Sequence, residues 1–386
     1  MCDVPALRFP EFSGEWERTT LGKIGDTFNG LTGKRGSDFG HGSPYITYKS
    51  IYDNSKIDLS RVEYVQITDD ERRKKTQNEV QYGDVFFTTS SETPNEVGMS
   101  SVLLDNIKDC YLNSFSFGYR LKSLKITMPE YMRFYLRSQI IRKKMYVLAQ
   151  GSTRFNISKG EVMGLSIKIP TAEEQNKIAV FLSLIDERIS TQNKNIEDLK
   201  KLMSAIYQEI FGSLVAQTLE LGQVAEIIKG KQVNGTELLE QGDYYVMNGG
   251  TAPSGWLNKY NTEAYTISIS EGGNSCGYVQ YNTSPYWSGG HCYSLKIRHP
   301  QKTSDLYLYH FLKWQEENIM ALRIGSGLPN IQKKDLLRFP IILPTITQQN
   351  KIVSILSAIE EKVSCEISIT KYFIKQKQYL LGQLFI

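Results

Sequence analysis

The segment GSTRFNISKGEVMGLSIKIPTAEEQNKIAVFLSLIDERIS, starting at Gly151, recurs without a gap from Gly325 as GSGLPNIQKKDLLRFPIILPTITQQNKIVSILSAIEEKVS. Equivalent residues lie 174 apart, and the register continues to the end of the sequence, where Phe385 matches Phe211. Within it the string P-T-x-x-x-Q-N-K-I occupies 170–178 and 344–352. A second, shorter correspondence, LGKIGDTFNG from Leu21 and LGQVAEIIKG from Leu221, is offset by 200, so the intervening region is 26 residues shorter in the second copy. A duplication of this kind requires two units with matching ends and divergent middles. The length, 386 residues, accommodates two such units and excludes a single small module.

Each copy ends in a helix whose start is legible. Thr171 with Glu174, and Thr345 with Gln348, form capping-box patterns directly after Pro170 and Pro344. Beyond them, apolar residues alternate at spacings of four and three: Ile178, Leu182, Ile185 and Ile189, then Ile196, Leu199, Met203, Ile206 and Ile210, with Gln192 interrupting. The matching second-copy positions begin Ile352, Leu356, Ile359 and Val363 and turn polar over 366–377 before Leu380 and Leu384. This is the period of a coiled-coil seam. A helix over 178–210 runs about 50 Å at ~1.5 Å per residue and carries the chain away from its own domain. The second helix can bury its stripe on the first only by returning antiparallel, which places Gln192 opposite Thr370 and Ile196 opposite Glu366. The expected organisation is α+β: two mixed α/β domains at 1–170 and 212–344, separated by long antiparallel helices at 171–211 and 345–386, with pseudo-twofold internal symmetry.

Composition narrows the function. No apolar run approaches the ~20 residues of a spanning helix. Residues 1–10 lack the basic and apolar regions of a secretory signal, so a cytoplasmic location is expected. Five cysteines without a C-x-x-C pair argue against a disulfide framework or zinc knuckle, and four histidines lack ligand spacing, so no metal site is expected. Catalytic strings are also missing: no N-P-P-F/Y, no G-x-x-x-x-G-K-S/T, and no Pro followed by Asp to open a nuclease site. Net charge is +4. The positive groups cluster at 72–75 and at Arg133, Arg137, Arg142, Lys143 and Lys144, on a stretch, 130–148, with helical period. Such runs serve either as solvated faces or as phosphate-binding patches. The divergent middles combine strand-like runs (83–88, 265–270) and helical stretches (130–148, 305–322) with loops rich in glycine and hydroxyl groups.

The doubled P-T-x-x-x-Q-N-K-I string with its trailing heptad helix, the G-S-x-x-x-N-I turn before it and the divergent middles resemble the specificity subunit of type I restriction-modification systems. That resemblance implies a non-catalytic subunit carrying two target recognition domains for double-stranded DNA. It implies assembly with two methyltransferase subunits, which bind S-adenosylmethionine and modify adenine. It further implies optional assembly with two restriction subunits that use ATP and Mg to translocate and cleave DNA; no cofactor is expected on this chain. Independently, two similar but non-identical domains should read different half-sites, giving a bipartite, asymmetric target. Lysines and arginines would position phosphates, and polar loop residues would read bases. The candidates are Lys34, Arg35, Lys49, Ser90, Ser91 and Arg154 in the first domain, and Lys231, Asn248, Ser270, Asn274 and His291 in the second. The competing expectation is a coiled-coil assembly scaffold that makes no base-specific contacts.

Overall fold

The structure is a computed structural model that describes residues 4–325, 327 and 329–386. Cys2, and Ser326 and Leu328 of the second G-S-x-x-x-N-I turn, lie outside the described residues. The chain divides into two compact units, one formed by Met1–Thr191 with Ile369–Ile386, the other by Gln192–Ser368. Each long helix therefore contributes to both units.

The middles that diverge in sequence share one topology. In unit one, a four-stranded antiparallel sheet runs Gly25–Asn29, Ser116–Leu121, Val85–Thr88, Ser100–Val102; in unit two it runs Ala225–Lys229, Cys292–Ile297, Thr266–Ser270, Val279–Asn282. The strands Val85–Thr88 and Thr266–Ser270 sit inside these sheets and are buried along almost their whole length, the first on an apolar run and the second on isoleucines alternating with hydroxyl residues. A three-stranded sheet follows in each unit. Phe39–Ile46 lies between Glu63–Val65 and, in parallel, Tyr111–Leu112. Tyr244–Met247 lies likewise between Trp256–Leu257 and, in parallel, Trp287–Ser288.

The two repeated sequence blocks meet where each unit closes. Glu17–Thr20 pairs with Ser166–Ile169, and Gln217–Glu220 with Pro340–Leu343, in equivalent registers. Gly22 packs against the Met163 backbone and Gly222 against that of Leu337, positions again 174 apart. Gly30 and Gly230, which end the shorter repeat, are fixed by the same constraint: a Cβ on either would overlap a carbonyl oxygen, of Asn113 or of Gly289.

The Gln that recurs in both copies of the P-T-x-x-x-Q string has the same role twice. Gln175 is fully buried; its amide donates to the carbonyls of Ile126 and Pro170 (both 2.9 Å) and accepts from Met128 N (2.9 Å). Gln349 repeats this with Lys302 (2.9 Å), Pro344 (2.8 Å) and Ser304 N (2.8 Å). One amide thus ties each long helix to the loop that starts the helices packed on the sheet. The capping box is complete at Thr345 and Gln348. At Thr171, Glu174 N reaches the threonine hydroxyl, while the Glu174 carboxylate takes Arg8 Nη2 (2.7 Å) and Trp16 Nε1 (3.3 Å).

The long helices are Ala172–Gly212 and Ile346–Gln383. In unit one, Ile178 and Leu182 from the start of the first share a core with Leu380 from the end of the second and with Leu384 and Phe385 just beyond it. In unit two, Tyr207 and Phe211 from the end of the first share a core with Leu356 from the start of the second. Start against end is the antiparallel pairing the seam requires. Of the remaining seam residues, Val363 is buried and Ile185, Ile189, Ile352 and Ile359 are half-buried. The polar stretch is also partnered: Lys377 reaches Asp186 (2.5 Å), and Gln192 donates to Glu366 (2.7 Å). Gln192 and Glu366 are repeat equivalents, so this bond joins a position to its own duplicate. The hydrogen-bond partner of Gln192 is thus one helical turn from the Thr370 that the heptad alignment placed opposite it, within reach of a long amide side chain.

The stretches 130–148 and 305–322 each form two helices rather than one. The breaks fall between Pro129–Tyr135 and Gln139–Leu148, and between Asp305–Trp314 and Glu316–Met320. In unit one the buried Ser138 caps the second helix. Among the described residues no helix is long and apolar enough to cross a membrane, and no group of His, Cys, Asp and Glu could hold a metal ion.

Candidate nucleic-acid interface

Backbone hydrogen bonds bring equivalent loops together at one edge of each unit. Thr89 N donates to Phe115 O (3.2 Å) and Ile157 N to Thr89 O (3.0 Å); Glu271 N donates to His291 O (2.9 Å) and Ile331 N to Glu271 O (2.8 Å). Leu31 N meets Leu112 O (2.7 Å), as Lys231 N meets Ser288 O (2.8 Å). The scaffold is common, while the side chains it presents differ: Phe115 stands where His291 stands, and Leu31 where Lys231 stands.

In unit one these loops surround an open pocket of about 390 Å³ lined by Tyr48, Tyr52, Ser90, Ser91, Glu92, Glu96, Phe115 and Arg154. It unites three of the sequence candidates, Ser90, Ser91 and Arg154. Ser90 is buried, and its carbonyl accepts the Tyr48 hydroxyl (2.6 Å). Ser91 Oγ donates to Glu96 (3.1 Å), while Arg154 is exposed. Tyr48 and Tyr52, four apart on the helix Tyr48–Asp53, stack at 6.3 Å, and Phe115 is 63% exposed. The Glu96 carboxyl is held below its ordinary pKa by the hydrogen-bonding groups of Tyr52, Thr93 and Ser91. Sequence reasoning missed Tyr48, Tyr52, Glu96 and Phe115. The only available signal was the one-turn Tyr48/Tyr52 spacing, since the loop that brings Glu96 beside it is placed by the sheet.

The other unit-one candidates lie outside this pocket. Arg35 and Lys49 are exposed. The Lys34 side chain is only 8% exposed and is bound to Glu71 (2.6 Å) and Gln66 O (2.7 Å). Although burial opposes it, hydrogen bonding from Lys34, Thr68 and Gln77 brings Glu71 down to about 2. Lys34 is therefore committed to an internal ion pair.

The three arginines of the basic stretch are spent on internal partners, whereas Lys143 stays exposed. Arg137 donates to the carbonyls of Ser100 (2.6 Å), Ile51 (2.6 Å), Tyr52 (2.9 Å) and Asn54 (2.8 Å). Arg142 donates to those of Asn95 (2.7 Å), Val97 (2.6 Å) and Gly98 (2.8 Å). Arg133 pairs with Asp186. Burial lowers both Arg137 and Arg142 to about 10. These guanidiniums meet carbonyls and a carboxylate of other elements, a direction that helical period alone does not encode. Their targets are the segments carrying Tyr52 and Glu96. In the other basic cluster, Arg72 pairs with Asp109 and Lys74 with Asp70 on the surface helix Asp69–Lys74.

In unit two, Asn248, Ser270 and His291 meet around Gly249. Asn248 Oδ1 accepts from His291 N (3.1 Å), and Ser270 Oγ donates to Gly249 O (2.6 Å). Gly249 has φ +87°, and a Cβ there would press on His291. Ser270 is buried and turned inward, so it builds the loop, whereas the exposed His291 and Asn274 face outward. Lys231 is exposed and lines a separate groove of about 290 Å³ with Lys229, Lys296, Asn261 and Thr262. Two hydroxyl- and amide-rich loop edges with projecting aromatic and cationic groups can donate to and accept from base edges, while the lysine groove suits phosphate.

A model of the type I restriction modification DNA specificity domain matches this chain at residues 13–201 and again at 216–373, one match for each copy of the repeat. The chain belongs to the type I restriction modification DNA specificity family. Across 97% of its length it is 24% identical to a putative type I restriction enzyme specificity subunit of Methanocaldococcus jannaschii, of which 93% is covered. Over 144 residues it is 35% identical to a putative type I specificity subunit of Mycoplasma pneumoniae, an alignment that takes in 37% of this chain and 38% of that protein. Among solved structures, the type I restriction-modification S subunit of M. genitalium shares the fold, with a TM-score of 0.65 at 19% identity over 99% of both chains. A chain from a structure describing assembly and conformational transition of a type I system gives a TM-score of 0.57 at 18% identity, covering 95% of this chain and 96% of that one. The pockets and loop edges described above thus belong to two DNA specificity domains.

Proposed function

We propose that this chain is the sequence-reading subunit of a type I restriction-modification complex. Each unit reads one half of a bipartite, asymmetric DNA target and so directs adenine methylation and DNA cleavage performed by partner subunits. The observation that carries this reading is the shared topology with unlike loop side chains: Phe115 against His291 and Leu31 against Lys231 on superposable backbone bonds. Equal frames bearing unequal readers select unequal half-sites. S-adenosylmethionine would be held by two methyltransferase partners, and ATP with Mg by restriction partners where those are present. A solved relative concerned with complex assembly of a type I system supports the placement in such a complex.

The test is selection from a random duplex pool by the chain assembled with its methyltransferase partners. Two separated blocks of fixed sequence are expected, with affinity falling steeply as salt rises because phosphate neutralisation releases counterions. Enrichment of no sequence would instead identify the chain as a scaffold.

A further inference from the structure

The pocket of unit one carries an arrangement that constrains what it can read. DNA presents a negative surface, so a fixed carboxylate facing it is unfavourable unless it meets a hydrogen-bond donor. In the major groove the only base-edge donors are the amino groups of cytosine N4 and adenine N6. Glu96 is such a fixed carboxylate. Ser91 Oγ donates to it at 3.1 Å, and the backbone on both sides is clamped by the half-buried Arg142 through Asn95 O (2.7 Å) and Val97 O (2.6 Å). Its neighbour Tyr52 is tied in the same way, Arg137 donating to Tyr52 O at 2.9 Å. Half-buried guanidiniums thus set the aim of the acceptor before DNA arrives, the preorganisation that makes a contact selective.

Arg154 lines the same pocket and, among the described residues, forms no ion pair with either Glu92 or Glu96. Its fork matches guanine O6 and N7. One acceptor and one bidentate donor in a single pocket complement the two bases of one pair. Adenine fits Glu96 less well than cytosine does, because the adenine amino group sits beside the N7 lone pair, which repels a carboxylate.

We infer that unit one reads a C·G base pair, Glu96 accepting from the cytosine amino group and Arg154 donating to the guanine edge. This rests on the DNA-reading function proposed above. It is tested by random-duplex selection with the full chain in complex with its methyltransferase partners, comparing wild type with Glu96→Gln, Arg154→Ala and Tyr52→Phe. The wild type should enrich a C·G pair in one block. Glu96→Gln should lower that preference about tenfold and move it toward adenine, which glutamine pairs through N6 and N7. Arg154→Ala should relax the same pair, and the other block should be unchanged in both. Tyr52→Phe removes only a hydroxyl at the carboxylate and should weaken discrimination at that pair alone, so it serves if Glu96→Gln does not fold. If the wild type enriches two blocks and none of the variants alters a C·G pair, or if they alter both blocks alike, the assignment is overturned while the reading function stands. If the wild type enriches no sequence, both fall.

Discussion

At the scale of single residues, the two units answer the same structural questions with different chemistry. Arg133 with Asp186 in unit one occupies the place of Tyr309 with Glu360 (2.7 Å) in unit two, and Phe134 the place of His310. His310 is buried, with Nδ1 2.9 Å from the Tyr207 hydroxyl and Nε2 3.5 Å from Ser357 Oγ, and burial lowers it to about 4. The unfolded chain takes up this proton below about 6.5, whereas the folded chain does so only near 4. The contribution is therefore complete above about 6.5 and falls as pH drops toward 4, by up to about 3 kcal/mol. Glu360 acts oppositely: burial raises its pKa, so its contribution falls as pH rises. His310→Phe, which installs the unit-one residue, is expected to flatten the loss of unit-two melting temperature between pH 7 and 4, and an unchanged slope in calorimetry would contradict this. Arg142→Ala strands three carbonyls and should cost about 3 kcal/mol in denaturant unfolding. None of this was legible in sequence, because an arginine at helical spacing looks the same whether it faces solvent or a buried carbonyl.

At the scale of elements, the motifs that stood out by repetition proved to be junctions. Leu-Gly at 21–22 and 221–222 sits where the start of a unit meets its end, while the P-T-x-x-x-Q string and the glycines at 30 and 230 join those ends to the divergent middle. Gln349→Ala removes three hydrogen bonds to backbone groups, one of them fully buried, and should lower unit-two stability by about 2 kcal/mol, measured by thermal melting, with Gln175→Ala doing the same in unit one. Deleting 351–386 removes Leu380, Leu384 and Phe385 from one core and Leu356 from the other, so cooperative unfolding should be lost. A truncated chain that melts as the intact one would show that the second long helix is dispensable. The two long helices and their antiparallel sense were legible, since a seven-residue apolar period survives any context. The short helices were legible in type but not in extent: the breaks at 136–138 and 315 follow from caps and carbonyl partners supplied by other elements.

At the scale of the whole molecule, duplication makes the readers separable. Replacing residues 23–150 with the corresponding region of another family member is expected to change one half of the target and leave the other intact; methylation mapping that finds both halves altered would contradict independent reading. The sequence by itself determined that there are two units and that the long helices pair antiparallel, because those features depend on local spacing and on residues that recur. Tertiary structure alone decided that the divergent middles share one sheet order, and which loop side chains meet. It also separated exposed candidates such as Arg154, Asn274 and His291 from Lys34 and Ser270, which are turned to internal partners. The physical reason is that strand pairing fixes loop positions through backbone hydrogen bonds, which any side chain can make. The pocket that gathers Tyr52, Glu96 and Arg154 from distant stretches therefore leaves no pattern along the chain.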